Sequence, residues 1–383
     1  MRNEEKQEAI DLLKMFVDTN TVNPPGNEEV LADKICNYLK DTQVHIQKIT
    51  VDKNRANIVA CIKGKGEIAP IILCGHMDTV PYGNQNMWIY PPERLTMLDN
   101  YFYGRGTSDM KSGLAAITYS FKKVAQLDKM PKGDIYLVAT ADEETNGIGA
   151  EKVSSLLPLK ESTVLIAEPS NNEIGICSKG TLWLSFEIWG KSAHGAYPDK
   201  GINAVDIAYK LYNQLRVICK QYVDDLLNYS TCTITGISGG TKLNMVPDYC
   251  NIKMDVRTIP LLKNNIFLQK TDIICNNLMK LYDGLKIKFT ILNNREPVSI
   301  NKNNEMVQSL FNILNETLGC QPKYRGIKFF SDASLFVRKE ANVKCILFGP
   351  GKDDNAHITD EYVEKNAYFT SIVCYNKLLL RYF

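Results

Sequence analysis

The sequence predicts an α/β fold in which a larger domain of helices and strands is interrupted by a smaller α+β domain. Short apolar runs end in polar turns and alternate with segments of helical periodicity, a pattern typical of a sheet covered by helices. From about residue 178 the pattern becomes strand, helix, two strands, helix and strand, the order of a split ferredoxin-like unit. We therefore predict a discontinuous first domain, 1–177 and 296–383, and an inserted domain, 178–295.

The first predicted elements are two amphipathic helices followed by two strands. Apolar residues recur at helical spacing between residues 6 and 18, and a Pro-Pro-Gly turn at 23–27 breaks that helix. A second helix is expected at about 28–41, with strands at 43–50 and 56–63. We assign no chemical role to this part of the chain.

The next apolar run, residues 71–75, ends abruptly at a polar turn that contains His76 and Asp78. This pattern predicts a buried strand whose carboxyl end opens on a crevice, where ligand sites of α/β sheets lie. A neutral imidazole is a good transition-metal ligand, and a nearby carboxylate can hold its other ring nitrogen. A structural histidine is the alternative interpretation of this segment.

Several other acids and one more histidine fall where predicted strands or turns end, namely Asp109, Glu143, Glu144, Glu168 and His357. Adjacent acids such as Glu143 and Glu144 resist joint ionisation unless cations or hydrogen-bond donors compensate them. A solvated acidic turn is the alternative for that pair. The glycines before Asp109 lack the spacing and the strand–helix setting of a dinucleotide loop, so a tight turn that presents Asp109 is favoured.

The remaining elements are expected from the same periodicities. Residues 82–100 form a long loop rich in Pro and Asn, a kind of loop that is often functional. After the inserted segment we expect helices at 304–318, 331–338 and 361–379, and a strand at 343–348.

The residue types at these strand exits suit two divalent metal ions. Two histidines with several carboxylates favour zinc first, with cobalt or manganese as alternatives. Two such ions can share a hydroxide, polarise a carbonyl and stabilise a tetrahedral intermediate. One of the adjacent acids would be a ligand, and the other would be free to act as a general base toward water.

Several motifs resemble the M20 metallopeptidase/deacylase family, most closely its acetylornithine deacetylase and succinyl-diaminopimelate desuccinylase branch. The matching segments are Gly75–Pro81, Gly104–Gly113, Asp142–Glu144, Ala167–Ser170, Ser192–Pro198 and the loop around His357. The resemblance covers essentially the whole chain in order. It implies a zinc-peptidase-like catalytic domain with a ferredoxin-like lid and dimerisation domain.

The resemblance also implies the metal ligands. By it, His76 and Glu168 would hold one ion, and Glu144 and His357 would hold the other. Asp109 would bridge the two ions.

Three further residues would act in catalysis by the same resemblance. Glu143 would be the general acid and base, and Asp78 would orient the first histidine. His194, on the lid, would reach the oxyanion, in related enzymes from the partner subunit of a homodimer. The alternative for His194 is a cap on the helix that opens near Asn203.

Substrates of this family carry a free carboxylate beside the scissile amide. Arg257 is the expected clamp, because a guanidinium binds a carboxylate through two parallel hydrogen bonds. A surface charge on a strand is the alternative for this residue. Asn244 resembles the family's other lid position that contacts substrate, and Ser331-Asp332-Ala333 resembles a turn that lines the substrate pocket.

The function predicted from this resemblance is hydrolysis of the amide bond of N-acyl amino acids, with lysine or arginine biosynthesis as the setting. A di- or tripeptidase or carboxypeptidase of the same family is the nearest alternative. A catalytically silent binding dimer would be expected to lack a ligand or the base, and all candidates are present. A two-metal phosphoesterase would be expected to carry a clearer phosphate cradle.

The composition of the chain argues against binding to nucleic acid or membranes and against a disulfide-bonded protein. The 383 residues carry a formal net charge of +2, so no general field favours nucleic acid or an anionic membrane. The polar start and the lack of a long apolar run predict neither a signal peptide nor a membrane span. Eleven cysteines without a paired motif predict free thiols in a reducing cytoplasm.

Overall fold

The computed structural model describes residues 1–160, 162–340 and 342–383. The chain divides into two compact units. The first unit comprises Met1–Ile176, Ser299–Arg325 and Ser331–Phe383, and the second comprises Cys177–Val298 and Gly326–Phe330.

The helices and strands are numbered here in chain order. The helices are α1 (Asn3–Val17), α2 (Glu28–Leu39), α3 (Lys111–Ala125), α4 (Ile148–Ser154), α5 (Ala204–Cys219), α6 (Asn264–Leu281), α7 (Glu305–Leu318), α8 (Ala333–Lys339) and α9 (Lys365–Leu380). The strands are β1 (His45–Asp52), β2 (Arg55–Ile62), β3 (Ile71–His76), β4 (Thr96–Leu98), β5 (Tyr101–Tyr103), β6 (Ile135–Thr140), β7 (Thr163–Ile166), β8 (Ile174–Ser178), β9 (Gly180–Trp189), β10 (Val223–Asp224), β11 (Asn228–Tyr229), β12 (Thr231–Gly239), β13 (Tyr249–Thr258), β14 (Lys286–Arg295), β15 (Val298–Ser299), β16 (Tyr324–Ile327), β17 (Lys344–Leu347) and β18 (Tyr362–Glu364).

The first unit is built on a mixed sheet with the order β1-β2-β6-β3-β7-β17-β8-β15. Its central strands β6, β3, β7 and β17 run parallel, whereas β1 and β2 are antiparallel. Every residue of β3 is buried, as expected for a parallel strand covered on both faces. The mixed α/β architecture that the sequence predicts is confirmed.

The helix α3 lies unusually close to the exit of β7. A Cβ atom placed on Gly113, in the first turn of this helix, would lie 2.0 Å from the carbonyl oxygen of Ala167. Only glycine fits that approach without a shift of the backbone. The contact brings the start of α3, which follows Asp109, next to the strand end that precedes Glu168.

The second unit contains a four-stranded antiparallel sheet with the order β12-β13-β9-β14. Strands β9 and β13 bury alternate residues, and these side chains form one core with α5 and α6. Taken in chain order, the four strands lie in the order 2-3-1-4. That is the order of a ferredoxin-like unit, so the α+β prediction for the inserted segment is confirmed.

Two predicted elements differ from the structure. The last helix begins at Lys365 rather than at 361, because residues 362–364 form β18 and pair with β5. The predicted loop at 82–100 contains a 3₁₀ turn, Gln85–Met87, and the strand β4. Strands of three residues carry too little periodicity to be recognised from sequence.

The sequence predicts that the chain has no membrane span and that its cysteines are free thiols. None of the helices in the described part of the chain combines the length and the apolar character that crossing a bilayer requires. The eleven cysteines are free thiols, and only Cys320 is exposed.

Candidate metal centre

The predicted site residues of the first unit follow strands that are neighbours in the sheet. His76 is the last residue of β3, Glu143 and Glu144 follow β6, and Glu168 follows β7. Because β6, β3, β7 and β17 are adjacent and parallel, their carboxyl ends share one edge of the sheet. His357 lies in the loop after β17.

Asp109 lies between the two histidines. Its Oδ1 is 3.2 Å from Nε2 of His76, and its Oδ2 is 3.3 Å from Nε2 of His357. His357 Nε2 is also 3.1 Å from Oε2 of Glu144. Ligand atoms of His76, Asp109 and Glu144 all lie within 4.8 Å of one another, so this group has the spacing of a metal site.

The ring of His76 is oriented through its other nitrogen. Nδ1 lies 3.0 Å from the backbone carbonyl of Asp78 and 3.6 Å from the Oδ1 atom of the same residue. A carbonyl oxygen only accepts hydrogen bonds, so Nδ1 carries the hydrogen in the neutral ring. The lone pair of Nε2 then points toward Asp109, as a metal ligand requires.

The carboxylate of Asp78 holds the turn that presents the adjacent acids. Its Oδ1 accepts the backbone N–H of Glu143 and its Oδ2 accepts that of Glu144, both at 3.1 Å. Asp78 is fully buried, so these bonds meet no competition from solvent. One residue therefore contacts both the first histidine and the backbone of the acid pair.

Glu143 and Glu168 are buried beside this cluster. Burial raises the pKa of Glu143 well above its ordinary value, and the charges of Glu168 and Asp332 raise it further. Burial likewise raises the pKa of Glu168, with the charge of Asp109 as the next cause. Carboxylates this close ionise together only when cations compensate them.

The pKa values of the two histidines are raised by the same acids. Hydrogen bonds to Asp109 and Glu144 raise the pKa of His357 to about 11. Burial opposes the charging of His76, yet the hydrogen bond to Asp109 and the nearby acids raise its pKa well above the usual value. Both shifts show that the acids favour positive charge at this place, which divalent cations would supply. The donor set of imidazoles and carboxylates fits zinc, cobalt or manganese.

A model of the peptidase family M20/M25/M40 matches residues 72–381 of the chain. The chain belongs to this family. It is 31% identical over 411 residues to a probable succinyl-diaminopimelate desuccinylase of Staphylococcus aureus strain MRSA252, with 98% of each chain covered. It is 26% identical to an acetylornithine deacetylase of Photorhabdus laumondii, over 93% of this chain and 92% of the relative. The protein is therefore an M20 hydrolase.

Solved structures share the fold of this M20 hydrolase. The aminopeptidase PepT of Bacillus cereus superposes with a TM-score of 0.78 at 18% identity, covering 98% of both chains. The Bacillus subtilis YXEP protein, described as a dinuclear metal binding peptidase of the M20 family, gives a TM-score of 0.73 at 16% identity over 99% of both chains. The fold predicted from the family resemblance is thus confirmed.

Three predicted residues of the M20 hydrolase lie in its second unit. The loops of His194 and Asn244 are adjacent, because the N–H of Gly195 donates to the carbonyl of Asn244 at 2.8 Å. Nδ1 of His194 accepts the N–H of Ala196 at 3.0 Å. The helix cap considered for His194 is wrong, since Asn203 itself accepts N–H groups of the first turn of α5.

Arg257 lies on β13 with its side chain partly exposed. Its guanidinium donates to Asp255 at 3.1 Å and to the hydroxyl of Thr181 at 2.9 Å. The guanidinium is also 5.9 Å from the ring centre of Phe330. These contacts hold the side chain in one orientation, which a carboxylate clamp needs.

Two residues that support the site were not recognised in the sequence. Glu361 accepts the backbone N–H of Ser108 at 2.8 Å and of Asp109 at 3.0 Å, and it pairs with Arg105 at 2.6 Å. The sequence predicts that Glu361 begins the last helix, whereas in the structure it precedes β18. Asn23, in the Pro-Pro-Gly turn, donates to Asp78 at 2.8 Å. Both partners are far away in the chain, so no local pattern reveals them.

Proposed function

We propose that this M20 hydrolase is a two-metal amidohydrolase that cleaves the amide bond of N-acyl amino acids. The observation that carries the proposal is the position of Asp109, which directs one carboxylate oxygen to each of two histidines. A carboxylate placed in this way is suited to bridge two cations. Glu143 lies next to the ligand candidate Glu144 and is buried beside the cluster, where a general base is needed.

The proposed ligands divide between two ions. His76 and Glu168 would hold one, Glu144 and His357 would hold the other, and Asp109 would contact both. When bound, divalent cations there supply Lewis acidity, which polarises the scissile carbonyl and makes water a better nucleophile.

Glu143 moves the proton of the reaction. Its carboxylate accepts a proton from the attacking water while the water oxygen bonds to the amide carbon. The same proton then passes to the amide nitrogen as the C–N bond breaks, so a free amine and a carboxylic acid leave. The buried position of Glu143 excludes bulk water, which would otherwise compete for that proton.

The substrate class is proposed from the second unit and from the named relatives. The Arg257 guanidinium would bind the free carboxylate beside the amide, and His194 with Asn244 would contact the reacting acyl group. The relatives named desuccinylase and deacetylase support N-succinyl-diaminopimelate and N-acetylornithine as first candidates. We also propose a homodimer formed through the second unit.

A di- or tripeptidase is the second candidate. The PepT aminopeptidase shares the fold over nearly the whole chain, and a peptide presents the same amide bond to the same site. The two candidate functions differ only in the groups on either side of the scissile amide bond, an acyl group in one case and amino-acid residues in the other.

A hydrolysis panel on purified, zinc- or cobalt-loaded protein tests the proposal. The panel includes the two acyl amino acids, further N-acyl amino acids and several dipeptides and tripeptides, each with a chelator control. A Glu143→Gln preparation made in parallel measures the activity of contaminating hydrolases, which is then subtracted. Chelator-sensitive cleavage of one acyl amino acid is the expected result.

The other outcomes decide between the alternatives. Cleavage of peptides alone would replace the deacylase assignment by a peptidase assignment and keep the site. No cleavage by protein that holds two cations would contradict the proposed substrate class.

A further inference from the structure

The side chain of Asn23 connects two buried carboxylates next to the candidate metal centre. Its Nδ2 lies 2.8 Å from Oδ2 of Asp78 and 3.1 Å from Oδ1 of Asp142. It is also 3.1 Å from the hydroxyl of Thr145. Asn23 is 3% exposed and both acids are fully buried, so water does not share in these bonds.

The two acids that Asn23 connects serve different parts of the site. Asp78 holds the ring of His76 and the backbone N–H groups of Glu143 and Glu144. Asp142 is the residue that turns the chain into the acid pair, and its φ of +71° is one that side-chain-bearing residues rarely adopt. The position of the pair relative to His76 therefore depends on how these two carboxylates are spaced.

An amide is chemically suited to this place. Its NH₂ group carries two hydrogens, so it can donate to both acids at once without adding a charge. Aspartate there would put a third negative charge between the two acids, and alanine would leave both without this donor. The backbone of Asn23 is held as well, because its N–H donates to the carbonyl of Thr79 at 2.8 Å.

A buried ion pair also holds Asp142, at the same oxygen that accepts from Asn23. The Arg55 guanidinium donates to Oδ1 of Asp142 at 2.8 Å and also pairs with Glu28, which is fully buried. The hydroxyl of Thr145 and the N–H of Ile148 donate to Asp142 as well. Asn23 is thus the one of these donors that also reaches Asp78.

We propose that Asn23 is a positioning residue that sets the distance between His76 and the Glu143–Glu144 turn, and so the affinity of the site for its cations. The inference rests on the proposed metal centre. The side chain of Asn23 is buried against Asp78, Asp142 and Thr145, so its effect is expected in metal affinity and kcat rather than in KM.

Two variants of the loaded protein test the role, Asn23→Ala and Asn23→Asp. Outer partners of metal ligands commonly change metal affinity or activity by about 10–100-fold. We expect a loss of that size in Zn²⁺ affinity, measured by competition with a chromophoric chelator, and in kcat, with KM nearly unchanged. The visible absorption spectrum of the Co²⁺-loaded variants should shift as well, because the arrangement of the ligands changes.

Asn20→Ala is the matched control. Asn20 lies in the same segment and is exposed, and its side chain accepts the N–H of Val22 rather than contacting an acid. Affinity and kcat should equal those of the unaltered protein. Circular dichroism and thermal unfolding show whether each variant is folded, and Asn23→Ser, which keeps one donor, replaces any variant that is not.

Folded Asn23 variants with unchanged cation affinity, spectrum and kcat would overturn the positioning role alone. An unaltered protein that binds neither Zn²⁺ nor Co²⁺ would overturn the metal centre and this inference together. The affinity measurement separates these two failures, because it does not depend on knowing the substrate.

Discussion

His194 and Arg257 lie at opposite ends of the four-stranded sheet of the second unit. Arg257 is paired with Thr181 at the start of β9, whereas His194 comes after the end of that strand at Trp189. The strand takes eight residue-to-residue steps from Thr181 to Trp189, which corresponds to about 26 Å at about 3.3 Å per step. This separation argues against one small acyl amino acid touching both side chains of the same chain.

Mixing two inactive variants tests whether His194 acts on the site of the partner subunit. If both side chains contact one substrate, they must come from two chains of a dimer. Inactive His194→Ala subunits mixed with inactive Glu143→Gln subunits should then recover part of the activity, since one of the two sites keeps both groups. Confirmed heterodimers without recovery would contradict action of His194 across the dimer.

Replacing Glu143 by Gln should separate catalysis from metal binding. The amide cannot accept a proton, so kcat should fall by about 10²–10⁴-fold, the usual contribution of a general base. Metal content should stay at that of the unaltered protein. Glu144→Gln is the control and should lose metal, and full activity of Glu143→Gln would refute the assignment of the base.

Replacing Asp109 by Asn should weaken both metal binding and rate. The amide keeps a single acceptor oxygen, whereas the carboxylate presents one oxygen toward each histidine. We expect metal analysis to find fewer than two ions per chain. Asp99→Asn, an exposed acid in the preceding turn, should leave the stoichiometry intact. Two tightly held ions in Asp109→Asn would argue against bridging.

Replacing Arg257 by Lys should raise KM more than it lowers kcat. Lysine keeps the charge but loses the paired hydrogen bonds to a carboxylate. A charged hydrogen bond contributes about 1.5–3 kcal/mol, which corresponds to a KM change of about tenfold or more. Arg216→Lys, an exposed arginine of α5, is the control. Equal KM values for both variants would remove Arg257 from the substrate site.

Lys111 should make stability depend on pH. Its Nζ donates to the carbonyl of Thr19 at 2.7 Å, and burial lowers the pKa of Lys111 to about 7. The unfolded chain keeps the ordinary value near 10.5, so it binds more protons than the folded protein between these two pH values. Stability from this group is therefore lost as pH falls from about 10.5 through 7.

The comparison with Lys111→Met measures that effect. Urea unfolding of the metal-free proteins at pH 7.5 and pH 9 should show the unaltered protein gaining on the order of 1–2 kcal/mol relative to the variant at the higher pH. Other titrating groups cancel in the difference. Parallel pH dependences of the two proteins would show that Lys111 does not titrate in this range.

Local patterns were sufficient for the long elements. The buried strand before His76 and the alternating strands of the second unit follow from apolar runs and period-two alternation. The same patterns placed acids and histidines after strands, because a strand end is visible where an apolar run stops. The short strand β18 was instead assigned to a helix, since its pairing with Tyr101–Tyr103 is made about 260 residues away in the chain.

What the sequence by itself determined was the set of candidate donor residues, the order of the main helices and strands along the chain and the family to which the chain belongs. Only the tertiary structure decided that Asp109 lies between two histidines, and that Asn23 and Glu361 support the residues around them. Periodicity depends on residues three or four positions apart, and motifs on short segments. Hydrogen bonds between groups 55 or 252 positions apart form only when folding brings the partners together, and burial then strengthens them by excluding water.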